Sequence, residues 1–333
     1  MMSVGAAFAT AFVLSPPRSS RCRGVRCAAA DHFEEHLQSI LLRVEAAGPK
    51  AAVANVIGDL NESFMPWLGQ RIEVAQDAEL SQLESVMLAL RTIYAPASDA
   101  GPAADEAQQA RWAATDELLS SHWRSLDGTI DDEEEAYVDT YDSPPGSPRQ
   151  LVFERPSAYG EVTRAGGRRL FDTMGLRDAN HAVFADLGSG AGRLVAQAWL
   201  ELPALGRAVG VELAPSRHAA AVRAWKSVVS SGAVEPMEDS RLSDGPEFRP
   251  ASMLETDLSA VTHAYVASLC MNDALLDALW SRLRSSAPEL RVAATLRPFP
   301  GESAAAALSH VALVEMTWNR KGGPGTEVFV YRF

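Results

Sequence analysis

The chain has 333 residues, of which 47% are hydrophobic and 22% charged, and its formal net charge is −13. This length is enough for one sizeable core with a smaller second unit, and no apolar run is long enough for a membrane-spanning helix. An acidic surface repels nucleic-acid phosphates unless a local basic patch overrides it, and only three lysines occur, Lys50, Lys226 and Lys321. We therefore expect no stable binding to nucleic acid and no membrane span.

The cysteines and histidines do not indicate a metal site. Three cysteines occur, two near the N-terminus and Cys270 alone far downstream, and no His/Cys spacing is typical of zinc ligands. We expect free thiols in a reducing compartment and no bound metal.

Residues 1–30 have the composition of a targeting peptide. This segment contains four arginines and many small or hydroxylated residues, and no acid precedes Asp31. It predicts delivery to a plastid or, as the second choice, a mitochondrion, with the nucleus as the alternative. Removal of its four positive charges would take the net charge from −13 to −17.

Residues 31–126 are predicted to form a small helical unit. Apolar residues recur there at helical spacing, with breaks predicted at AAGPKAA (46–52) and MPWLG (65–69). Its Trp67, Trp112 and Trp123 are interpreted as core residues. The following segment, 127–150, is acidic and then rich in Pro, Gly and Ser, which indicates an exposed linker.

The sequence pattern changes over 151–333, where apolar runs rich in β-forming residues alternate with segments of helical spacing. This alternation predicts a Rossmann-like α/β fold with a seven-stranded, mostly parallel sheet. The last two strands are joined by NRKGGPG, which predicts a terminal antiparallel hairpin. Strands are predicted at 181–187, 208–213, 262–269, 291–299, 311–318 and 326–333, and helices at 192–202, 215–231 and 273–286.

The stretch VFADLGSGAGR (183–193) places a glycine-rich turn between the first strand and the first helix of this domain. That turn is where an open α/β sheet binds a nucleotide-like ligand. A dinucleotide site requires G-x-G-x-x-G, but the third position here is Arg193 and the spacing is Gly188, Gly190, Gly192. The carboxylate of Asp186, just before the turn, suits a ligand ammonium group and repels a pyrophosphate.

A second acid, Glu212, ends the second strand, where a carboxylate accepts hydrogen bonds from both hydroxyls of a ribose. A ligand with an amino-acid ammonium at one end and a ribose at the other is S-adenosylmethionine. With the terminal hairpin, the sequence resembles the seven-stranded, class I S-adenosylmethionine-dependent methyltransferases.

A further resemblance lies upstream of the glycine turn. Tyr159-Gly160-Glu161, about twenty-five residues before Asp186, is similar to a signature of the disruptor-of-telomeric-silencing family, the non-SET histone-lysine methyltransferases. ASLCMND (267–273) and TLRPF (295–299) also resemble segments of that family. The resemblance implies a lysine acceptor and catalytic roles for Tyr159, Glu161 and Ser268. The cofactor contacts that it implies are Tyr159, Gly160, Glu161, Val162, Asp186, Leu187, Gly188, Ser189, Gly190, Gly192, Arg193, Glu212, Ser252 and Met253.

The sequence departs from that family in three places. Ser268 stands where the family carries an active-site asparagine. Ser252 and Met253 stand where the family carries an acid near the adenine amino group, and the lysine-rich segment that grips the nucleosome is absent. Tyr159, Leu269, Met271 and Phe299 are expected to wall an acceptor channel, with Cys270 as a small buried filler beside it.

Three functions therefore stay open. The first is a protein-lysine methyltransferase, and the second is an organellar class I methyltransferase that acts on a non-histone protein or a small molecule. The third is a cofactor-binding module without activity, with the helical unit as an interaction platform.

Overall fold

The computed structural model describes residues 23–60, 64–94, 104–123, 160–234, 245–319 and 325–333. Most of the predicted targeting segment, the predicted linker 127–150 and Tyr159 lie outside these ranges. Among the described residues, no helix has the length and apolar character needed to cross a bilayer.

A seven-stranded sheet organises the second half of the chain, as the sequence predicts. Its spatial order is β3-β2-β1-β4-β5-β7-β6, in which β1 to β5 run parallel and β7 pairs antiparallel with β5 and β6. The switch in direction of chain winding between β1 and β4 is where such a sheet binds ligands, at the carboxyl ends of the strands. The strands are β1 Val183–Leu187, β2 Arg207–Glu212, β3 Glu247–Pro250, β4 His263–Val266, β5 Val292–Thr295, β6 Leu308–Val314 and β7 Thr326–Arg332.

Helices cover both faces of the sheet. As a result, every residue of β1, β4 and β5 is buried. In chain order the helices are α1 Arg23–Ala54, α2 Phe64–Val74, α3 Asp77–Ile93, α4 Glu106–His122, α5 Arg164–Met174, α6 Arg193–Glu201, α7 Pro215–Ser230, α8 Asp273–Ser286 and α9 Glu302–Ala307. Apolar residues of α5 and α6 pack on one face with Phe184 and Tyr265. Those of α8 and α9 pack on the opposite face with Ala185 and Val266.

The N-terminal helices share their core with the sheet. Buried residues of α1, α2 and α3, such as Leu37, Leu68 and Leu90, belong to the same apolar cluster as α8 and one sheet face. In contrast, α4 packs on the other side, where Leu119 and Trp123 meet Ala196 of α6 and Ala224 of α7. The described helices of the predicted 31–126 unit therefore pack on both faces of the sheet domain, and the bounds of the unit stay a prediction.

Two predicted helix breaks have different outcomes. The break at AAGPKAA is confirmed, because Gly48 leaves helical geometry with φ 79° and ψ 161° inside α1. The break at MPWLG is wrong, since these residues lie within α2. Pro66 is tolerated there because the first four N–H groups of a helix have no intrahelical partner.

Candidate functional site

The glycine-rich turn folds tightly between β1 and α6. Gly188, Gly190 and Gly192 have φ values of 97°, 54° and 74°, in the left-handed region that side chains disfavour. The N–H groups of Gly188 and Ser189 both donate to the carbonyl of Val211, at 2.8 and 3.0 Å. The turn is therefore anchored to β2 by its backbone.

The third glycine is required for packing. A β-carbon added at Gly192 would lie 2.4 Å from the Phe248 ring and 2.8 Å from the β-carbon of Ala221. At Gly188 the nearest atom is the Met253 methyl group, 3.9 Å away, so a β-carbon there would make only an ordinary van der Waals contact. Gly192 thus lets the turn approach β3 and α7, whereas packing does not require a glycine at position 188.

A cavity of about 530 Å³ opens beside the turn. A volume of this size is in the range typical of sites for small ligands and cofactors. Eight of the predicted site residues line it, and the other eight come from α6, α7, β4 and the segments that follow β4, β5 and β6. The lining consists of Gly160, Glu161, Val162, Asp186, Gly188, Ser189, Gly190, Arg193, Leu194, Arg217, Tyr265, Ala267, Leu269, Cys270, Leu296 and Trp318.

Asp186 is the buried acid of this cavity. Its side chain is 4% exposed, and its Oδ1 atom has no hydrogen-bond partner. Burial, with the negative charges of Glu212 and Glu161, raises the pKa of Asp186 to about 8. A cationic ligand would stabilise the ionised form of this buried carboxyl group, because it supplies both an opposite charge and N–H donors for the carboxylate oxygens.

Glu212 is placed differently from what a free ribose acceptor requires. Its Oε2 atom accepts from the N–H of Gly190 at 2.7 Å, and Oε1 accepts from the N–H of Ala214 at 2.8 Å. The residue is buried and is not among those that line the cavity. In this structure the carboxylate connects the glycine turn to the residues after β2, and ribose binding by Glu212 stays a prediction.

The segment that contains Glu161 is attached to the region after β6. Val162 forms an antiparallel bridge with Met316, and Thr317 donates its N–H to the carbonyl of Glu161 at 2.9 Å. The Glu161 carboxylate forms an ion pair with Arg193, the first residue of α6. This pair joins the segment to the end of the glycine turn.

The other predicted site residues that the structure describes lie outside the cavity lining. Ser268 is fully buried, and its hydroxyl bonds to Thr295 Oγ1 and accepts from the N–H of Arg297 at 2.8 Å. Its hydroxyl is thus engaged within the protein, and a catalytic role for Ser268 stays a prediction. Leu187 packs in the core on the opposite sheet face, and Ser252 Oγ accepts from the N–H of Leu254 at 3.2 Å.

The predicted acceptor channel is brought together in part. Leu269 lines the cavity and is exposed, whereas Met271 and Phe299 are buried in the core below it. Cys270 is half-buried and lines the cavity, so its interpretation as a buried filler needs correction. The difference arises because residues 268–270 form one turn of 3₁₀ helix, whose three side chains point in different directions, so that Ser268 is buried whereas Leu269 and Cys270 are not.

Trp123, at the end of α4, supports the turn from outside the sheet. It is fully buried, and its indole Nε1–H donates to the carbonyl of Ala191 at 2.8 Å. This confirms the interpretation of Trp123 as a core residue and adds a polar contact to the glycine turn. Within the described ranges, no group of three His, Cys, Asp or Glu side chains is arranged to hold a metal ion.

No protein-family model matches the chain, and no curated protein matches it. The chain does match parts of solved structures. One is an S-adenosylmethionine-dependent methyltransferase from Clostridium acetobutylicum, with 11% identity, a TM-score of 0.30 and coverage of 40% of this chain and 49% of that one. Another, from Thiobacillus denitrificans and in complex with S-adenosyl-L-homocysteine, has 15% identity, a TM-score of 0.29 and coverage of 40% and 48%.

A third match is Streptococcus pneumoniae Sp1610, provisionally described as a tRNA (m1A22) methyltransferase. It has 16% identity, a TM-score of 0.35 and coverage of 50% of this chain and 69% of that one. The chain thus spans about half the length of the first two proteins and about two thirds of the third.

The sequence analysis did not assign six of the lining residues to the site: Leu194, Arg217, Tyr265, Ala267, Leu296 and Trp318. Tyr265 lies inside a buried strand, Arg217 lies within α7 and Trp318 follows β6. One feature could have indicated Tyr265 as a site residue: its polar side chain pairs in register with Asp186 once β1 and β4 are known to be neighbours. That pairing follows from the strand order, which the sequence alone does not specify.

Proposed function

We propose that this protein is an S-adenosylmethionine-dependent methyltransferase with its cofactor in the cavity beside the glycine turn. The observation that carries the proposal is Asp186, a buried carboxyl group with an unpartnered oxygen at the carboxyl end of β1, at the winding switch of the sheet. Its position suits the amino group of the cofactor's methionine part, and Gly188 leaves the backbone open to close approach. Arg193 and Arg217 line the same cavity and suit a carboxylate.

The cofactor supplies a methyl group activated by a sulfonium. The protein's task in such a displacement is to align the reacting atoms and exclude water. Asp186 and the turn would hold the methionine part, while the apolar side chains at the carboxyl ends of β4 and β5, Ala267, Leu269 and Leu296, lie where an acceptor would approach.

Calorimetric titration of the full chain with S-adenosylhomocysteine tests the proposal. We expect saturable binding that is lost in Asp186→Asn and retained in Asp178→Asn, a control on the loop before β1. Absence of binding by the wild-type protein would overturn the proposed function.

For the acceptor, we propose an amine, with a protein lysine as the first candidate. An apolar lining lowers the pKa of an amine and so favours its reactive, neutral form. Full-length protein incubated with the tritiated cofactor and, in parallel, basic peptides, organelle extract or nucleosomes identifies the acceptor. Label on small molecules alone would overturn the lysine hypothesis but leave methyl transfer standing.

A cofactor-binding module without activity is the second candidate function. Two groups predicted to act on the acceptor are already engaged: Glu161 is paired with Arg193, and the Ser268 hydroxyl is bonded within the core. Retention of labelled cofactor without turnover on any of these acceptors would favour this candidate.

A further inference from the structure

Tyr265 presents a second unpartnered polar atom at the same cavity. Its side chain is 1% exposed, it lines the cavity, and its hydroxyl has no hydrogen-bond partner. A buried hydroxyl without a partner costs free energy, which a ligand that bonds to it can recover. A phenylalanine would fill the same apolar site without that cost.

The geometry of the sheet places this hydroxyl beside Asp186. Asp186 and Tyr265 are register partners on the parallel neighbours β1 and β4, so their side chains leave the same face of the sheet. The negative charge of Asp186, after burial, raises the pKa of Tyr265 well above its usual value, which is evidence that the two groups are close. Both sit at the winding switch where the ligand is expected.

The two groups have complementary capacities. An ionised carboxylate only accepts hydrogen bonds, whereas a tyrosine hydroxyl donates one and accepts others. An ammonium group has N–H donors for both oxygens, and the tyrosine keeps its own proton to donate to the carboxylate. Such an arrangement would leave none of these buried polar atoms unpartnered.

We propose that Tyr265 is a positioning residue whose hydroxyl, together with Asp186, binds the amino group of the cofactor's methionine part. The proposal rests on the proposed function. It assigns to Tyr265 a selectivity for ligands that carry an amino group over otherwise similar nucleosides. Tyr265→Phe tests it, because that change removes one oxygen and preserves the ring that packs against α5 and α6.

The experiment compares two ligands by calorimetric titration of the full chain. S-adenosylhomocysteine carries the amino-acid part, and 5′-methylthioadenosine lacks it. Tyr265→Phe is expected to weaken binding of S-adenosylhomocysteine by about tenfold or more, the effect typical of a lost hydrogen bond to a charged group. Binding of 5′-methylthioadenosine should stay within about twofold of wild type, since a change below 0.5 kcal/mol is expected where no contact is lost.

Thermal melts of the ligand-free proteins distinguish a positioning role of Tyr265 from a purely structural one. The melting temperature of Tyr265→Phe should equal or exceed that of wild type, because the variant loses only an unsatisfied hydroxyl. The matched control is Tyr331→Phe. This equally buried tyrosine lies outside the cavity lining, and its hydroxyl accepts from the N–H of Phe299 at 2.9 Å. It should lower the melting temperature and leave both affinities unchanged.

The outcomes separate the two proposals. If wild type binds neither ligand, the proposed function is overturned and this inference falls with it. If wild type binds both and Tyr265→Phe binds S-adenosylhomocysteine equally well, only the role of Tyr265 is overturned. An equal loss for both ligands would also overturn it, because the hydroxyl would then act on the nucleoside or on the fold.

Discussion

Asp186 links ligand binding to pH at the scale of a single residue. Its folded-state pKa of about 8 lies above the value of about 3.9 for an unfolded chain, so the ligand-free folded protein holds the proton more tightly. The stability from this proton is complete below the unfolded pKa and is lost as the pH rises through about 8. The charged groups that surround it are Glu161, Glu212, Arg193 and Arg217.

We expect Asp186→Asn to isolate this linkage. The difference in unfolding free energy, wild type minus variant, should fall as the pH rises between about 4 and 8, by at most about 1.4 kcal/mol per unit. Denaturant titrations of the ligand-free proteins across this range measure it. A difference that is constant or rises with pH would contradict a raised pKa for Asp186.

The affinity of the wild-type protein for its ligand should rise with pH, whereas the stability difference described above falls. Binding of an ammonium group favours the ionised carboxylate, so S-adenosylhomocysteine should bind more tightly as the pH rises from 6 to 8, by at most about tenfold per unit. Titrations in buffers of different ionisation enthalpy should show release of a proton on binding. Uptake of a proton would exclude this role for the carboxyl group.

Glu212 gives a second prediction at this scale. In Glu212→Ala the N–H groups of Gly190 and Ala214 lose their acceptor, and a stranded buried donor costs about 1–3 kcal/mol. We expect cofactor affinity to fall by a similar amount, either because the turn loosens or because ribose hydroxyls lose their acceptor. Calorimetry measures the affinity, and Glu289→Ala, an exposed change before β5, is the control. Unchanged affinity would mean that neither the turn nor the ribose depends on this residue.

At the scale of elements, the residue that ends α4, Trp123, is joined to the glycine turn by the hydrogen bond from its indole to the carbonyl of Ala191. Trp123→Phe keeps most of the buried ring but leaves the Ala191 carbonyl without the indole N–H. We expect a loss of stability of about 1–3 kcal/mol together with weaker cofactor binding, since the turn loses its outer support. Chemical denaturation and calorimetry measure the two effects.

Trp112→Phe is the matched control for that variant. Trp112 lies on the same helix and its Nε1 atom has no hydrogen-bond partner, so its replacement breaks no hydrogen bond of the indole. Cofactor affinity should therefore not change. Equal affinity losses in both variants would show that α4 acts through its general packing and not through the contact with the turn.

At the scale of the whole molecule, the charge opposes binding to wrapped DNA. The net charge of −13 produces a field that repels phosphates, and stable binding requires several Lys or Arg contacts. We expect no sub-micromolar binding of the full chain to reconstituted nucleosomes in a gel-shift titration at about 0.15 M salt. A salt-sensitive complex in that range would reveal an arginine cluster on the folded surface.

The N-terminal segment gives the other prediction at this scale. We propose that it directs the protein to an organelle, because arginine and small residues dominate it and no acid precedes Asp31. A fluorescent reporter fused to residues 1–35 should enter a plastid or a mitochondrion. Because α1 begins at Arg23, cleavage near residue 30 would fall within this helix. A reporter that enters the nucleus would instead favour the histone hypothesis.

Local sequence determined much of this protein. The spacing of apolar residues predicted six strands and three helices of the second half to within a few residues. This is possible because the side chains that a helix or strand buries recur in the sequence at the spacing set by that element's geometry. The strand β3, with one apolar residue, Phe248, and partial exposure, carries no such period and was missed. The glycine turn was predicted because left-handed backbone conformations favour glycine independently of the surrounding tertiary structure, so the requirement is visible in the local sequence.

Only the tertiary structure decided which polar groups share a cavity. Register between β1 and β4 places Tyr265 beside Asp186, although these strands are far apart in the sequence: Val183 and Thr262, which are hydrogen-bonded next to this pair, are separated by 79 positions. The carboxylate of Glu212 and the hydroxyl of Ser268 were predicted to face a ligand, yet both found partners within the protein. Buried polar atoms bond to whatever donors and acceptors the fold brings near, and those neighbours are set by strand order and packing instead of by distance along the chain.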